Sequence, residues 1–223
     1  MGKENTQITV YKTGKGLLEA NDALLRAHPD YWRHIHARKS KDEQKNVIEE
    51  YESGIFLNAK DYSDGIGEKA QDAYMFIPAT DLKYIHRQVF IGKTGELYKA
   101  EKIGKNIEGG RSVVTKIVIA RYNTDTQGNI KNSPYSIHIE NGTGQKAKNK
   151  NGGTYCKSGS YQRDTEVTIN MADFDCFTFF EEIYTLIRSF EQEYSYRWQL
   201  LADLGTLFTG IKKIFGCINN ESV

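Results

Sequence analysis

The stretch from Asn141 to Arg163 holds Lys146, Lys148, Lys150, Lys157 and Arg163, interleaved with Tyr155 and Tyr161, and no acidic residue. Basic side chains attract phosphates and release their counterions. Aromatic faces stack unpaired bases. On one hairpin, that combination is what a groove for single-stranded nucleic acid needs. Lys116 and Arg121 lie on a strand just before it and extend the set; Arg87, Lys93, Lys99, Lys102, Lys105 and Arg111 add positive charge further upstream. The competing reading is a solvated loop that carries lysine for solubility, since lysine runs match such motifs often. Sequence alone leaves both open.

Other chemistry finds less support. His34 and His36, with His28 nearby, form the only histidine cluster in the sequence. On a helix, residues two apart point to different faces, and no carboxylate or cysteine stands at ligand spacing. No metal site is expected there. A GxSxG motif and a P-loop are absent, and Gly142-Thr143-Gly144 is too short for a dinucleotide fingerprint. Cys156, Cys176 and Cys217 are odd in number and form no CxxC pair, which argues against a disulfide framework or zinc. Cys176 sits among phenylalanines and reads as an inert core residue. The expectation is a non-enzymatic protein with no cofactor.

The 223 residues carry a net charge of +1, so no whole-molecule field draws the chain to nucleic acid or membrane. No run of about 20 apolar residues is present, and the N-terminus is polar. A cytoplasmic protein without membrane contact is expected, in keeping with its cysteine usage.

The elements that would position the basic stretch follow from hydrophobic period. Ile8–Tyr11 reads as a strand. Leu17, Leu18, Ala20, Leu24 and Leu25 read as an amphipathic helix ending near Pro29, and Tyr31–Tyr51 as a second, charged helical segment with a break near Arg38–Glu43. Strands follow at Gly54–Leu57 and Ala73–Ile77, then a helix capped by Thr80 or Asp81 and carrying Leu82, Ile85 and Val89. A hairpin passes through Glu96–Tyr98. Val113–Tyr122 is a strand with Val113, Ile117 and Ile119 on one face. Tyr135, Ile137 and Ile139 alternate inward, a polar loop spans Asn141 to Gly153, and Val167 and Ile169 share the face of another strand. A long helix opens at Asn170 or Asp173, with Phe174, Phe177, Phe180, Ile183, Tyr184, Ile187 and Phe190 at helical spacing. Leu207–Phe215 forms a final amphipathic segment, suited to packing on its own domain or on a second copy in a homodimer.

The fold class expected is α+β: twisted antiparallel sheets with covering helices. Residues 1–110 form an N-terminal unit with a helical insertion; residues 111–223 form a sheet, a long helix and a helical tail. The two halves share an order. Ile77 and Ile169, Asp81 and Asp173, Leu82 and Phe174, and Ile85 and Phe177 correspond at one offset, as two tandem meander-plus-helix units would. The alternative is that any strand-to-helix junction carries an apolar pair and an acidic cap.

The order Val113–Tyr122, Tyr135–Glu140, the Gly- and Lys-rich loop, Glu166–Asn170 and the helix opening Met171-Ala172-Asp173-Phe174 resembles the whirly and transcriptional-coactivator type of single-stranded-DNA-binding domain, similar sequences occurring among small phage and mobile-element proteins. The resemblance covers roughly residues 111–190. It implies a four-stranded antiparallel sheet followed by a helix, used as a dimer whose helices pair and whose sheets bind single strands. With the repeat, one chain would be a pseudo-dimer. Two functions stay open: single-stranded nucleic-acid binding, and a protein-binding inhibitor of a host defence or nucleic-acid enzyme.

Overall fold

The computed structural model describes residues 6–24, 38–41, 47–51, 53–150 and 152–193. In chain order the elements are β1 (Gln7–Lys12), β2 (Gly16–Ala23), β3 (Arg38–Lys41), β4 (Val47–Tyr51), β5 (Gly54–Asp61), β6 (Gln71–Pro78), α1 (Ala79–Phe90), β7 (Gly95–Ile107), β8 (Arg111–Arg121), β9 (Tyr135–Gly144), β10 (Lys146–Lys148), β11 (Thr154–Cys156), β12 (Gln162–Met171) and α2 (173–193). Two four-stranded antiparallel sheets result, in the orders β1-β2-β5-β6 and β12-β9-β8-β7. Each is a meander interrupted by one inserted hairpin, β3-β4 in the first and β10-β11 in the second, and each last strand feeds a helix. The fold is α+β with antiparallel sheets.

Alternation fills the core. Leu18 and Ala20 on β2, Ile55, Leu57 and Ala59 on β5, and Ala73, Met75 and Ile77 on β6 point inward. Ile117 and Ile119 on β8, Tyr135, Ile137 and Ile139 on β9, and Val167, Ile169 and Met171 on β12 do the same in the second sheet. With Leu82, Ile85 and Val89 of α1 and Phe179, Phe180, Ile183 and Ile187 of α2 they make one continuous cluster. Each fully buried Leu, Ile, Val, Met or Phe side chain among them contributes about 1.5–3 kcal/mol.

The sheets meet at their edge strands. β6 packs on β12, β9 and β8, while β12 packs on β6, β5 and β2, which hold the equivalent places in the other meander. One side chain locks this junction. The Asn141 amide accepts from Tyr74 N–H at 2.7 Å and donates to Tyr74 C=O at 2.7 Å. It thereby stands in for a neighbouring strand along the free edge of β6, satisfying backbone groups that would otherwise lack partners. The helices run antiparallel: Lys83 pairs with Glu191 (2.6 Å), the His86 ring stacks on Tyr184 (4.1 Å), and Phe90 meets Phe177 (6.3 Å).

Several expectations are corrected. Residues 16–23 form strand β2, not a helix. The apolar spacing there fits either period, and pairing with β1 on one side and β5 on the other decides it. Within the charged segment, Arg38–Lys41 and Val47–Tyr51 form an antiparallel hairpin. Neither Thr80 nor Asp81 caps α1, whose N-cap is Pro78; the Asp81 carboxylate instead accepts from the Tyr98 hydroxyl at 2.6 Å. Val113 does share a face with Ile117 and Ile119, as the unbroken β8–β9 register requires, but it is only partly buried, whereas Val114 on the opposite face is fully buried. β7 pairs with β8, so the second sheet begins at Gly95, ahead of the division at residue 110. In the repeat, Leu82 is 1% exposed but Phe174 is 76% exposed, so that pairing fails as a burial match. Ile77 with Met171, Leu82 with Cys176 and Ile85 with Phe179 share burial instead, two residues further along. The histidines at 28, 34 and 36, Cys217, the extension of α2 toward Trp198, and Leu207–Phe215 lie outside the described residues.

Candidate nucleic-acid interface

The basic stretch is built on the end of β9. Gly142 and Gly144 are not turn residues; both lie within that strand. A Cβ at Gly142 would stand 2.1 Å from the Gln162 carbonyl oxygen, and one at Gly144 would stand 2.3 Å from Cys156 Sγ. Only glycine lets β12 and the hairpin approach this closely. The polar loop after β9 then folds into the β10-β11 ribbon, in which Lys146 faces Cys156 and Lys148 faces Thr154. Asn149 closes its tip, accepting from Gly153 N–H through Oδ1 at 2.7 Å. Cys156 N–H donates to Glu101 at 3.0 Å, which fastens the ribbon to β7.

Lys146, Lys148, Lys150 and Lys157 are exposed, and among the described residues none has an acidic partner. Tyr155 is 46% exposed. It lies opposite Ala147, so the alternation of a two-stranded ribbon puts it on the face away from Lys146 and Lys148.

The remaining sequence-predicted residues are placed differently. A β-bulge between Arg163 and Thr165 shifts the register of β12. The extra residue reverses the faces upstream of it, and Arg163 joins the outer face with Glu166 and Glu140 instead of pointing at the core. There Arg163 pairs with Glu166 and lies 3.8 Å from Glu140. Tyr161 is covered by the Lys116 ammonium, 3.5 Å from its ring centre, and Lys116 also lies 3.7 Å from Glu101. The Tyr161 hydroxyl is buried without a well-formed hydrogen bond. Burial and the neighbouring Glu140 charge push its pKa up. Tyr161 is thus a packed residue rather than a free stacking face. Arg121 stands apart from the others. Its guanidinium donates to Asp173 at 2.9 and 3.0 Å and to the Gly92 carbonyl at 3.1 Å, clasping the start of α2 to the end of α1. Arg111 is likewise occupied by Thr143 and the Ser160 carbonyl.

The outer face of the second sheet forms an open concavity of about 540 Å³ beside the ribbon, lined by Lys99, Glu101, Lys116, Val118, His138 and Glu140. Burial raises the Glu140 pKa, but contacts from His138 and Tyr161 and the charges of His138 and Lys116 outweigh it and hold the carboxyl below its usual range. Acids and bases alternate across this floor, so the unbalanced positive charge resides on the ribbon.

A second feature was missed in the sequence. On the outer face of the first sheet, Phe56 and Phe76 stand directly opposite each other, rings 5.2 Å apart and edge to face. Phe56 is 40% exposed and neighbouring Tyr74 44% exposed. Lys102 of β7 reaches over the Phe76 ring at 4.6 Å. Consecutive residues of β7 therefore serve two structures, Glu101 the ribbon and Lys102 this aromatic platform. The signal was present in Ala73-Tyr74-Met75-Phe76-Ile77: when aliphatics at alternate positions fill the core, the aromatics between them must face out. No protein-family model and no curated protein matches this chain.

Proposed function

We propose that the protein binds single-stranded nucleic acid, with Lys146, Lys148, Lys150 and Lys157 at the phosphates and Phe56, Tyr74 and Tyr155 offering stacking faces. The observation that carries this reading is a two-stranded ribbon whose exposed lysines have no acidic partners among the described residues. Such unneutralised charge gains most by displacing counterions from a polyanion. The reciprocal packing of β6 and β12 and the antiparallel helix pair support a further element of the proposal: two meander-plus-helix units acting as a pseudo-dimer within one chain.

The test is salt-dependent binding of a labelled oligonucleotide. Each phosphate contact on a single strand contributes a slope of about −0.7 in log K against log salt, so replacing all four lysines by glutamine flattens the slope by up to about 3. Phe56→Ala with Tyr74→Ala weakens binding by roughly 1–3 kcal/mol per lost stacked base and leaves the slope unchanged. A quadruple lysine variant with wild-type affinity and slope would overturn the assignment.

A protein partner is the second reading, favoured by one observation. At the junction clasped by Arg121, Phe90 (67%), Ile91 (61%) and Phe174 are all exposed, an apolar patch of the kind that protein interfaces bury. An inhibitor of a host enzyme would use this end and tolerate loss of the ribbon lysines.

A further inference from the structure

We propose that His138, Glu140 and Glu166 form a binding site for one divalent transition-metal ion of the zinc or manganese class. The site follows from strand register. His138 and Glu140 are two apart on β9 and share its outer face, and β12 sets Thr168 opposite His138 and Glu166 directly opposite Glu140. Two carboxylates facing each other across an antiparallel pair repel, and a cation held near both relieves that repulsion.

The donor geometry suits a single ion. One donor atom from each residue lies within 4.8 Å of the others. His138 Nε2 is 3.0 Å from Glu140 Oε1 and 3.8 Å from Glu166 Oε2. Ligands held at about 2.0–2.2 Å around a tetrahedral ion lie roughly 3.4 Å apart, a spacing these two distances bracket. The other ring nitrogen is already engaged: His138 Nδ1 lies 2.8 Å from Thr168 Oγ1. Such a bond fixes the ring and leaves Nε2 as the ligand atom, the usual support of a metal-bound histidine. The concavity lined by His138 and Glu140 gives an ion an open approach and leaves room for water or a ligand oxygen. An imidazole with two carboxylates selects zinc or manganese over calcium or magnesium, which prefer all-oxygen sites.

Arg163 is the resident cation. It pairs with Glu166 and lies near Glu140, so a metal ion must displace its guanidinium. That competition gives the site a signature that ordinary surface carboxylates lack. Removing Arg163 strengthens metal binding, whereas removing His138 weakens it.

The experiment is isothermal titration of the full chain with zinc chloride and, separately, manganese chloride, on wild type, His138→Gln, Glu140→Gln and Arg163→Gln. Far-UV circular dichroism confirms that each variant folds. The expected result is a wild-type isotherm containing a site whose affinity falls at least about 10-fold in His138→Gln and in Glu140→Gln and rises several-fold in Arg163→Gln. Wild-type isotherms unaffected by His138→Gln would place the metal elsewhere in the chain and overturn the proposal. So would the absence of binding to both wild type and Arg163→Gln, which would leave His138 as a hydrogen-bonding link between Thr168 and Glu140.

Discussion

Replacing Asn141 by leucine tests the junction between the two sheets, because leucine keeps asparagine's branching and heavy-atom count but loses its hydrogen-bonding groups. Asn141 is 9% exposed and holds both backbone groups of Tyr74 at 2.7 Å. Leucine leaves that N–H and C=O without partners at a partly buried edge. Each unsatisfied group costs about 1–3 kcal/mol. Leucine adds some apolar burial and removes the amide's own desolvation cost, so the net loss is about 2–3 kcal/mol. For a chain of this size that corresponds to a fall in Tm of roughly 5–10 °C. Asn141→Asp is the companion variant. It keeps the acceptor for Tyr74 N–H but turns the donor into a second acceptor against the Tyr74 carbonyl, so it destabilises at least as much at neutral pH. The assay is urea unfolding followed by far-UV circular dichroism, with the m-value checked for constancy. A change in Asn141→Leu below about 0.5 kcal/mol, the range of ordinary surface substitutions, would refute the idea that this amide secures the sheet junction.

Three further outcomes are expected. Gly144→Ala drives a methyl toward Cys156 Sγ, 2.3 Å from where its Cβ would lie, so the ribbon lifts from β9 and Cys156 reacts faster with a thiol reagent. Burial pushes the Tyr135 phenol from its ordinary 10.0 up to about 12. Stability from this group is therefore complete below pH 10 and is lost as pH rises toward 12, at about 1.4 kcal/mol per pH unit. Burial also pushes the Cys176 thiol above its ordinary 9.0, so its share of the loss begins earlier. In urea unfolding at pH 9 to 11 Tyr135→Phe has a shallower alkaline limb than wild type, retaining the shares due to Cys176 and Tyr161. Arg121→Ala loses the clasp on Asp173 and Gly92, lowering stability by about 1–2 kcal/mol while leaving nucleic-acid affinity unchanged.

Much of the fold was legible where hydrophobic period was unambiguous. Tyr135, Ile137 and Ile139 alternate cleanly, and their burial matches that pattern. The long repeat from Phe180 to Phe190 likewise specified α2, although Phe174 at its start faces solvent. β2 was misread because a run of five or six residues with paired leucines satisfies helix and strand periods alike, and the choice belongs to the flanking strands. The site divided along the same line. Local density of charge marked the ribbon lysines. Register determined the rest. The bulge before Thr165 turns Arg163 outward, and the pairing of β9 with β12 sets Glu140 against Glu166. Such cross-strand neighbours are separated along the chain and leave no local motif.

The most direct measurement is fluorescence anisotropy of the full chain with labelled single-stranded and duplex DNA and RNA, at about 50 mM and about 150 mM salt. Single-strand binding that exceeds duplex binding and weakens as salt rises is the predicted result. No binding to any strand at the lower salt would contradict the proposed function and direct attention to the apolar end at Phe90 and Phe174.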